Sequence, residues 1–296
     1  ERDQVQILSG VFKGKTTGTP IALWVANQDA DPSKYETIKD LFRPGHADFT
    51  YFMKYGFRDY YGGGRSSARE TVGRVAAGAI ARKLLLQKKI KIIAYTKQIG
   101  SIVAESIDLK EIERNIVRCP DKKKAEEMIE HIIKIRKQGD SAGGVVEVVV
   151  KGVPPGLGEP VFDRLDADLA KAMISLPAVK GIEFGAGFAV ANMTGFQCND
   201  SFTRRGKKII TKTNNAGGIL GGISNGMDIV FRLVVKPTSS ILIGQETVDI
   251  KGKKTSIRVE GRHDPCVCPR AVPIVEAMTA LTLIDHLFRN QHSKLH

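Results

Sequence analysis

The chain has 296 residues, of which 42% are hydrophobic, and its formal net charge is +13. No uninterrupted apolar run is long enough to cross a bilayer, so the sequence predicts no membrane-spanning segment. The positive charge favours polyanionic partners, a class that includes nucleic acids, anionic membranes and phosphorylated small molecules. The four cysteines have neither disulfide-framework nor zinc-site spacing, which predicts a reducing, cytoplasmic compartment and no metal site.

Strands are predicted at residues 5–12 and 20–26, followed by a long polar connection over residues 28–51. A helix is expected over residues 67–86, and its apolar, small residues on nearly every side indicate that it is buried. Further strands are expected at 90–105, 143–152, 179–188, 228–235 and 255–260, and further helices at 121–137, 163–176 and 273–288. Because strands and helices do not alternate regularly, the predicted class is α+β with mostly antiparallel sheets. The two mostly apolar helices that carry small residues, at 67–86 and 273–288, suggest that helices lie between sheets. One domain is expected over residues 1–296.

Residues 62–71 combine three glycines with two arginines and two serines at the start of the predicted helix. Ser67 and Glu70 have the spacing of a capping box, so Ser67 is the predicted N-cap. The N-terminal end of a helix attracts phosphates and carboxylates. An anion site and an ordinary, well-capped helix start both remain open from this pattern.

Two further motifs combine a histidine with an arginine and a carboxylate. Residues 43–48 contain Arg43, His46 and Asp48, and a histidine oriented by a carboxylate is a natural acid or base at neutral pH. Residues 261–266 place Arg262, His263 and Asp264 at the end of a strand. For residues 43–48 the alternative is a structural or simply solvated histidine, and for residues 261–266 it is an exposed strand-to-helix turn.

Residues 214–226 contain two Gly-Gly pairs but match neither a P-loop nor a dinucleotide-binding fingerprint. They favour a mobile flap or a close approach of the backbone to a flat ligand, and a flexible surface loop is the alternative. Lys236-Pro237-Thr238-Ser239-Ser240 then provides one cation and three hydroxyls, which suit a phosphate.

These motifs together resemble the chorismate synthase family. The resemblance rests on residues 10–21, 43–48, 54–56, 58–59, 62–71, 213–226, 236–240 and 261–265, which occur in the family's order. It implies a β-α-β sandwich, with helices packed between two mostly antiparallel sheets. It further implies a homotetramer that converts 5-enolpyruvylshikimate 3-phosphate to chorismate and phosphate by 1,4-anti elimination, in the shikimate pathway of aromatic amino acid biosynthesis. It also implies reduced FMN as a cofactor that is not consumed, and it leaves open whether NADPH or an external donor reduces the flavin.

The resemblance also assigns roles to individual residues. It implies that His46 lies beside the flavin and helps to set its protonation state, and that Asp264 lies near flavin N5 and assists removal of the C6 proton. The implied flavin contacts are Arg65, Ser66, Ser67, Ala178, Gly221, Lys236, Pro237, Thr238, Ser239, Ser240 and Arg262. The implied substrate-anion clamps are Arg43 and Arg69, with Arg262 serving both ligands.

The sequence departs from the family at its start. Family members begin with a Gly-Glu-Ser-His-Gly segment that carries a second catalytic histidine, and no such segment precedes Glu1. We therefore expect that a stretch of the enzyme is missing from this sequence. A catalytically impaired flavin-binding paralogue is one alternative. A basic nucleic-acid-binding module is another, although the sparse aromatic residues are not interleaved with the arginines.

Overall fold

The structure of the protein is a computed structural model, and it describes residues 3–28, 32–61, 64, 66–259 and 263–293. Within these residues the strands are β1 (Val5–Ile7), β2 (Val11–Phe12), β3 (Lys15–Thr16), β4 (Leu23–Val25), β5 (Lys91–Ile99), β6 (Ile102–Val103), β7 (Gly144–Lys151), β8 (Val179–Phe184), β9 (Phe202–Arg205), β10 (Lys208–Thr211), β11 (Ile219–Leu220), β12 (Ile223–Ser224), β13 (Ile229–Val235), β14 (Gln245–Val248) and β15 (Lys254–Ile257). The α-helices are α1 (Asp48–Tyr55), α2 (Thr71–Gln87), α3 (Lys122–Lys137), α4 (Leu165–Ile174), α5 (Gly195–Cys198) and α6 (Cys268–Asn290). Short 3-10 helices span Pro32–Ile38, Ala68–Glu70, Ile112–Arg114 and Gly187–Asn192.

The largest sheet has five strands in the order β6-β5-β7-β13-β8, and each neighbouring pair is antiparallel. The central strand β7 shows why it forms. Val146, Val148 and Val150 are fully buried, whereas Glu147 and Val149 between them are only partly buried. Successive side chains of a strand point to opposite faces, so this alternation places the valines in the core.

Helices α2, α4 and α6 cover the core face of this sheet: α6 packs on β5 and β7, and both other helices pack on α6. Helix α2 also contacts β4, which pairs with β1 in a separate two-stranded sheet. The α+β class is therefore confirmed. Within the described residues, the five-stranded sheet lies on one side of helices α2, α4 and α6, and the two-stranded sheet of β1 and β4 contacts α2.

Helices α2 and α6 approach each other closely because small residues line their contact. A Cβ atom at Gly78 would lie 2.4 Å from the Cβ atom of Ala277. Leu85 and Leu283, on the same two helices, are completely buried. Small residues therefore line the contact, as predicted. Only Thr71, Gly78, Ala81 and Leu85 of α2 are buried, however, and Leu84 and Leu86 are exposed, so the prediction that this helix is buried on nearly every side is wrong.

Helix α6 has 23 residues, and an 18-residue window within it has a mean hydropathy of 1.4, so by length and composition it is able to cross a membrane. In the structure it packs against α2, α4 and β5, and Val275, Ala280 and Leu283 are completely buried. Its packing is that of a core helix.

The structure differs from the predicted elements at several places. Helix α6 begins at Cys268 rather than at Pro273, so Pro273 lies inside the helix and Pro269 occupies its first turn. The predicted connection over residues 28–51 contains a 3-10 helix and the start of α1. Strands β9 and β10 form a hairpin that the sequence analysis did not predict, because its basic residues give no apolar alternation.

We expect Gly78→Ala to lower the midpoint of urea unfolding, because its new methyl group has no space against Ala277. The matched control is Gly73→Ala in the same helix, where a Cβ atom meets nothing within 4 Å. Alanine favours a helix over glycine by about 1 kcal/mol, so the control variant should be more stable than the wild type. Equal stabilisation of both variants would contradict the close helix contact.

Candidate active site

A cavity of about 2080 Å³ lies where α2, the first turn of α6 and the loop ends of β8 and β13 meet. It brings together motifs that are far apart in the sequence. The predicted site residues that line it are Arg43, His46, Ser66, Ser67, Arg69, Ala178, Lys236, Pro237, Thr238, Ser239, Ser240 and Asp264. One large concave site lined by many hydrogen-bond donors suits a ligand that carries anionic groups.

Three predicted residues are not part of this described lining. Gly221 lies in the tight turn between β11 and β12 and does not line the cavity. Arg65 and Arg262 lie outside the described residues, as do Gly62 and Gly63.

Asp48 organises the histidine loop. Its carboxylate is only 4% exposed, and it accepts hydrogen bonds from Arg43 Nε at 2.7 Å and Arg43 Nη2 at 2.8 Å. Arg58 Nη1 lies 2.9 Å away, and the backbone N–H of Arg43 donates at 3.2 Å. Burial raises the pKa of the Asp48 carboxyl, but the hydrogen bonds and charges of Arg43 and His46 outweigh it and hold this pKa well below its usual range. Asp48 is therefore an ionised carboxylate in a nearly buried setting.

Asp48 also determines which nitrogen of His46 is available to a ligand. His46 Nδ1 lies 2.9 Å from Asp48 Oδ1 and 3.1 Å from Arg43 Nη2. A guanidinium only donates and an ionised carboxylate only accepts, so the two contacts require opposite roles of Nδ1. The carboxylate is the stronger partner, and Nδ1–H therefore donates to Asp48. Nε2 is then the nitrogen that can exchange a proton with a ligand in the cavity.

The guanidinium groups of Arg43 and Arg69 are both held by carboxylates. Arg43 binds Asp48 as described, and its guanidinium carbon lies 5.6 Å from the ring centroid of Tyr35. Arg69 donates to both carboxylate oxygens of Asp3, at 2.9 and 2.7 Å, and to the carbonyl of Ala26 at 3.1 Å. Each arginine is thereby fixed in orientation at the cavity wall.

Two contacts join the segment 236–240 to the two histidine motifs. Lys236 Nζ donates to the Gly45 carbonyl at 3.0 Å, and Thr238 Oγ1 donates to the Asp264 carbonyl at 3.0 Å. Burial, and then the charge of Lys180, lowers the pKa of the Lys236 ammonium. Asp264 itself pairs through Oδ1 with Arg270 Nη2 at 3.0 Å. His46 and Asp264 are therefore held on two sides of one hydroxyl-rich segment.

The predicted cap at the start of α2 is confirmed only in part. Ser67 caps the 3-10 turn Ala68–Glu70, and its Oγ accepts a hydrogen bond from the Arg69 backbone N–H at 3.2 Å. Glu70 does not complete a capping box, because its carboxylate pairs with Arg74 one turn later, at 2.9 Å.

Sequence reasoning missed several residues that line the cavity, among them Asp3, Tyr35 and Lys180. Asp3 and Tyr35 hold the two arginines, but they lie in segments where a polar residue is unremarkable. Lys180 lines the cavity on β8. A lysine at the start of a strand is ordinarily read as solvent-exposed, so only the tertiary structure identifies it.

The fold and cavity describe an α+β enzyme-like protein with a cationic, hydroxyl-rich site. The family model described as chorismate synthase matches residues 1–288. A relative named chorismate synthase from Roseiflexus castenholzii is 60% identical over 296 residues, which is 100% of this chain and 83% of the relative. The corresponding protein from Methanosarcina mazei is 57% identical over 295 residues, covering 98% and 81% of the two chains. A crystal structure of chorismate synthase covers 97% of this chain and 79% of its own, with a TM-score of 0.79 at 34% identity.

The chain therefore belongs to the chorismate synthase family. It is an enzyme of the lyase class, and its pathway is the shikimate pathway.

We expect Asp48→Asn to destabilise the protein by about 3–5 kcal/mol at pH 7, because it leaves two arginines without their buried carboxylate. The folded-state pKa of Asp48 is lowered, so its stabilising contribution is present above the ordinary pKa of an aspartate and is lost as the pH falls below it. The difference in the free energy of unfolding between wild type and variant, measured with urea, should therefore become smaller from pH 7 towards pH 3. Asp163→Asn, which breaks the exposed pair of Asp163 with Arg289, is the control and should change stability little. A constant difference at all pH values would contradict the ionised state of Asp48.

Proposed function

We propose that this enzyme converts 5-enolpyruvylshikimate 3-phosphate to chorismate and phosphate by 1,4-anti elimination, and that it requires reduced FMN. The observation that supports this proposal most strongly is the single cavity in which His46, Asp264 and the segment 236–240 meet. The family membership of the chain supports the same reaction. The proposal includes the family's arrangement of helices between two sheets in one domain.

The donor set of the cavity fits FMN and a phosphorylated substrate. Lys236 and Lys180 provide cations, and the hydroxyls of Ser66, Ser239 and Ser240 line the same space. Phosphate oxygens accept hydrogen bonds from such groups, and charged donors make the strongest of these bonds. Reduced FMN supplies an electron-rich ring that favours departure of the allylic phosphate. Gly221, Arg65 and Arg262 remain predicted contacts.

The reaction removes one proton from C6 and one phosphate from C3 of the substrate, so the cavity needs groups that hold and move protons. His46 does so at Nε2, because Asp48 occupies its Nδ1. Asp264 pairs with Arg270 through Oδ1, and its Oδ2 accepts no hydrogen bond from the residues that the structure describes. We propose that Asp264 assists removal of the C6 proton and that His46 sets the protonation state of the bound ligands. Arg43 and Arg69 are proposed to hold the substrate anions.

His46→Ala should lower turnover by about 10²- to 10⁴-fold, the loss typical of a missing acid or base group. The assay mixes purified enzyme anaerobically with reduced FMN and the enolpyruvyl phosphate substrate and follows chorismate absorbance. His292→Ala, which changes an exposed histidine outside the cavity lining, is the control and should retain wild-type turnover. Turnover of His46→Ala within threefold of wild type would remove His46 from the mechanism.

The same assay separates the alternatives. FMN binding without turnover by the full-length enzyme favours an impaired flavin-binding paralogue. Tight nucleic-acid binding without flavin binding favours a basic binding module.

We also propose NADPH as the reductant of the flavin. Anaerobic NADPH oxidation that depends on both enzyme and FMN supports this, and no oxidation identifies an external donor. The proposed location is the cytoplasm.

We propose that the enzyme assembles as a homotetramer. The chain exposes 18271 Å² of surface, whereas a folded monomer of its 32.3 kDa mass exposes about 12,300 Å². Large apolar side chains contribute to the excess: Phe188 and Phe196 are 83% and 95% exposed on a segment that contacts the body mainly through β8. Exposed apolar surface on this scale is characteristic of a subunit interface.

The double substitution Phe188→Asp and Phe196→Asp should reduce the size of the particle without unfolding the chain, because both rings are exposed within one subunit. Light scattering coupled to size-exclusion chromatography measures the mass. Lys123→Asp in α3, which also introduces a negative charge at an exposed position, should leave the mass unchanged. A wild-type chain that elutes as a monomer at micromolar concentration would contradict the proposed assembly.

A further inference from the structure

Lys180 occupies an irregular position in the five-stranded sheet. Strand β13 pairs with β8 so that Val234 lies opposite Gly181 and Val235 lies opposite Val179. Lys180 therefore has no cross-strand partner, and it is the extra residue of a β-bulge. Bulges often occur beside active sites, where they redirect a side chain.

The bulge places Lys180 beside Lys236. Val179 and Val235 are directly opposite each other and buried, so the residue that follows each of them along its strand faces away from the core. The pairing continues past β13, because the Lys236 backbone N–H donates to the Ala178 carbonyl at 2.8 Å. Lys180 and Lys236 are thus diagonal neighbours across two strands, a geometry in which long side chains interact. Both line the cavity.

The positive charge of the cavity is balanced unevenly. Four arginines in its lining each pair with a carboxylate, and these ion pairs are Arg43 with Asp48, Arg69 with Asp3, Arg74 with Glu70 and Arg270 with Asp264. Neither Lys180 nor Lys236 has an ion pair with any carboxylate in the described part of the chain. Arg136, at the end of α3, is the other described lining cation without one.

Two like charges held side by side repel each other, and this arrangement is stable only at a cost to the protein. The pKa of the Lys236 ammonium is lowered by burial and by the charge of Lys180, which is consistent with that repulsion. A dianion placed between the two ammonium groups would remove it. Hydroxyls of Ser239 and Ser240 line the cavity next to Lys236 and provide further donors.

We propose that Lys180 and Lys236 together bind the phosphate monoester group of a ligand, and that Lys180 is a binding residue of this enzyme. The inference rests on the proposed function, which supplies two such ligands, FMN and the 3-phosphate of the substrate. Both carry the same dianionic group. The two sources are distinguished by comparing each ligand with its counterpart that lacks the phosphate.

The experiment measures dissociation constants of the full-length enzyme for FMN and riboflavin, and for shikimate 3-phosphate and shikimate. Lys180→Gln should weaken binding of one phosphorylated ligand by about tenfold or more, the effect of losing one charge-assisted hydrogen bond, and should leave its unphosphorylated counterpart unchanged. Lys180→Arg, which keeps the charge, should restore most of that affinity. A loss confined to FMN assigns the pair to the flavin phosphate, and a loss confined to shikimate 3-phosphate assigns it to the substrate.

Lys151→Gln is the matched control, because Lys151 is an exposed lysine at the end of β7 in the same sheet and does not line the cavity. It should leave all four dissociation constants unchanged. The phosphate preference is the ratio of the dissociation constant of an unphosphorylated ligand to that of its phosphorylated counterpart. The role of Lys180 would be overturned if this ratio in Lys180→Gln stays within twofold of wild type, or if the wild-type enzyme shows no preference for either phosphorylated ligand. Wild-type enzyme that binds both phosphorylated ligands but does not turn over would overturn the proposed reaction and leave the Lys180 test valid.

Discussion

The candidate site depends on one nearly buried carboxylate. Asp48 begins α1 and faces the loop that precedes it, where it holds Arg43, His46 and Arg58 together. A buried charge is tolerated only when it is paired and hydrogen-bonded, and here two guanidinium groups and an imidazole satisfy it. The same contacts fix the tautomer of His46. The stability of the loop and the chemistry of His46 therefore both depend on the Asp48 carboxylate.

The cavity shows how a protein with a charge of +13 distributes positive charge within a site. Salt-bridged arginines such as Arg69 contribute shape and oriented donors, because their carboxylate partners neutralise most of their field. Lysines without such partners contribute net charge. Composition alone does not reveal this division, because a paired and an unpaired cation count equally in the net charge.

Local patterns in the sequence predicted the regular elements well, and tertiary contacts explain what they missed. The alternating valines of β7 and the polar-faced helix α3 are visible within a short window, and the structure confirms both. Pro273 looked like a helix start because proline favours that position, but the helix continues upstream of it. The contact of Arg69 with Asp3 spans 66 residues, and the bulge at Lys180 depends on the register of another strand. Neither leaves a trace in local spacing.

The bulge in β8 has a consequence for the evolution of this strand. A deletion of one codon at Lys180 would restore an unbroken ladder with β13 and would remove one of two repelling charges. Selection for stability alone would favour that shorter strand, since regular pairing and charge separation both stabilise a sheet. Under the proposed role of Lys180, the extra residue replaces regular pairing with a ligand contact, so the length of this strand bears on binding as directly as the identity of its residues.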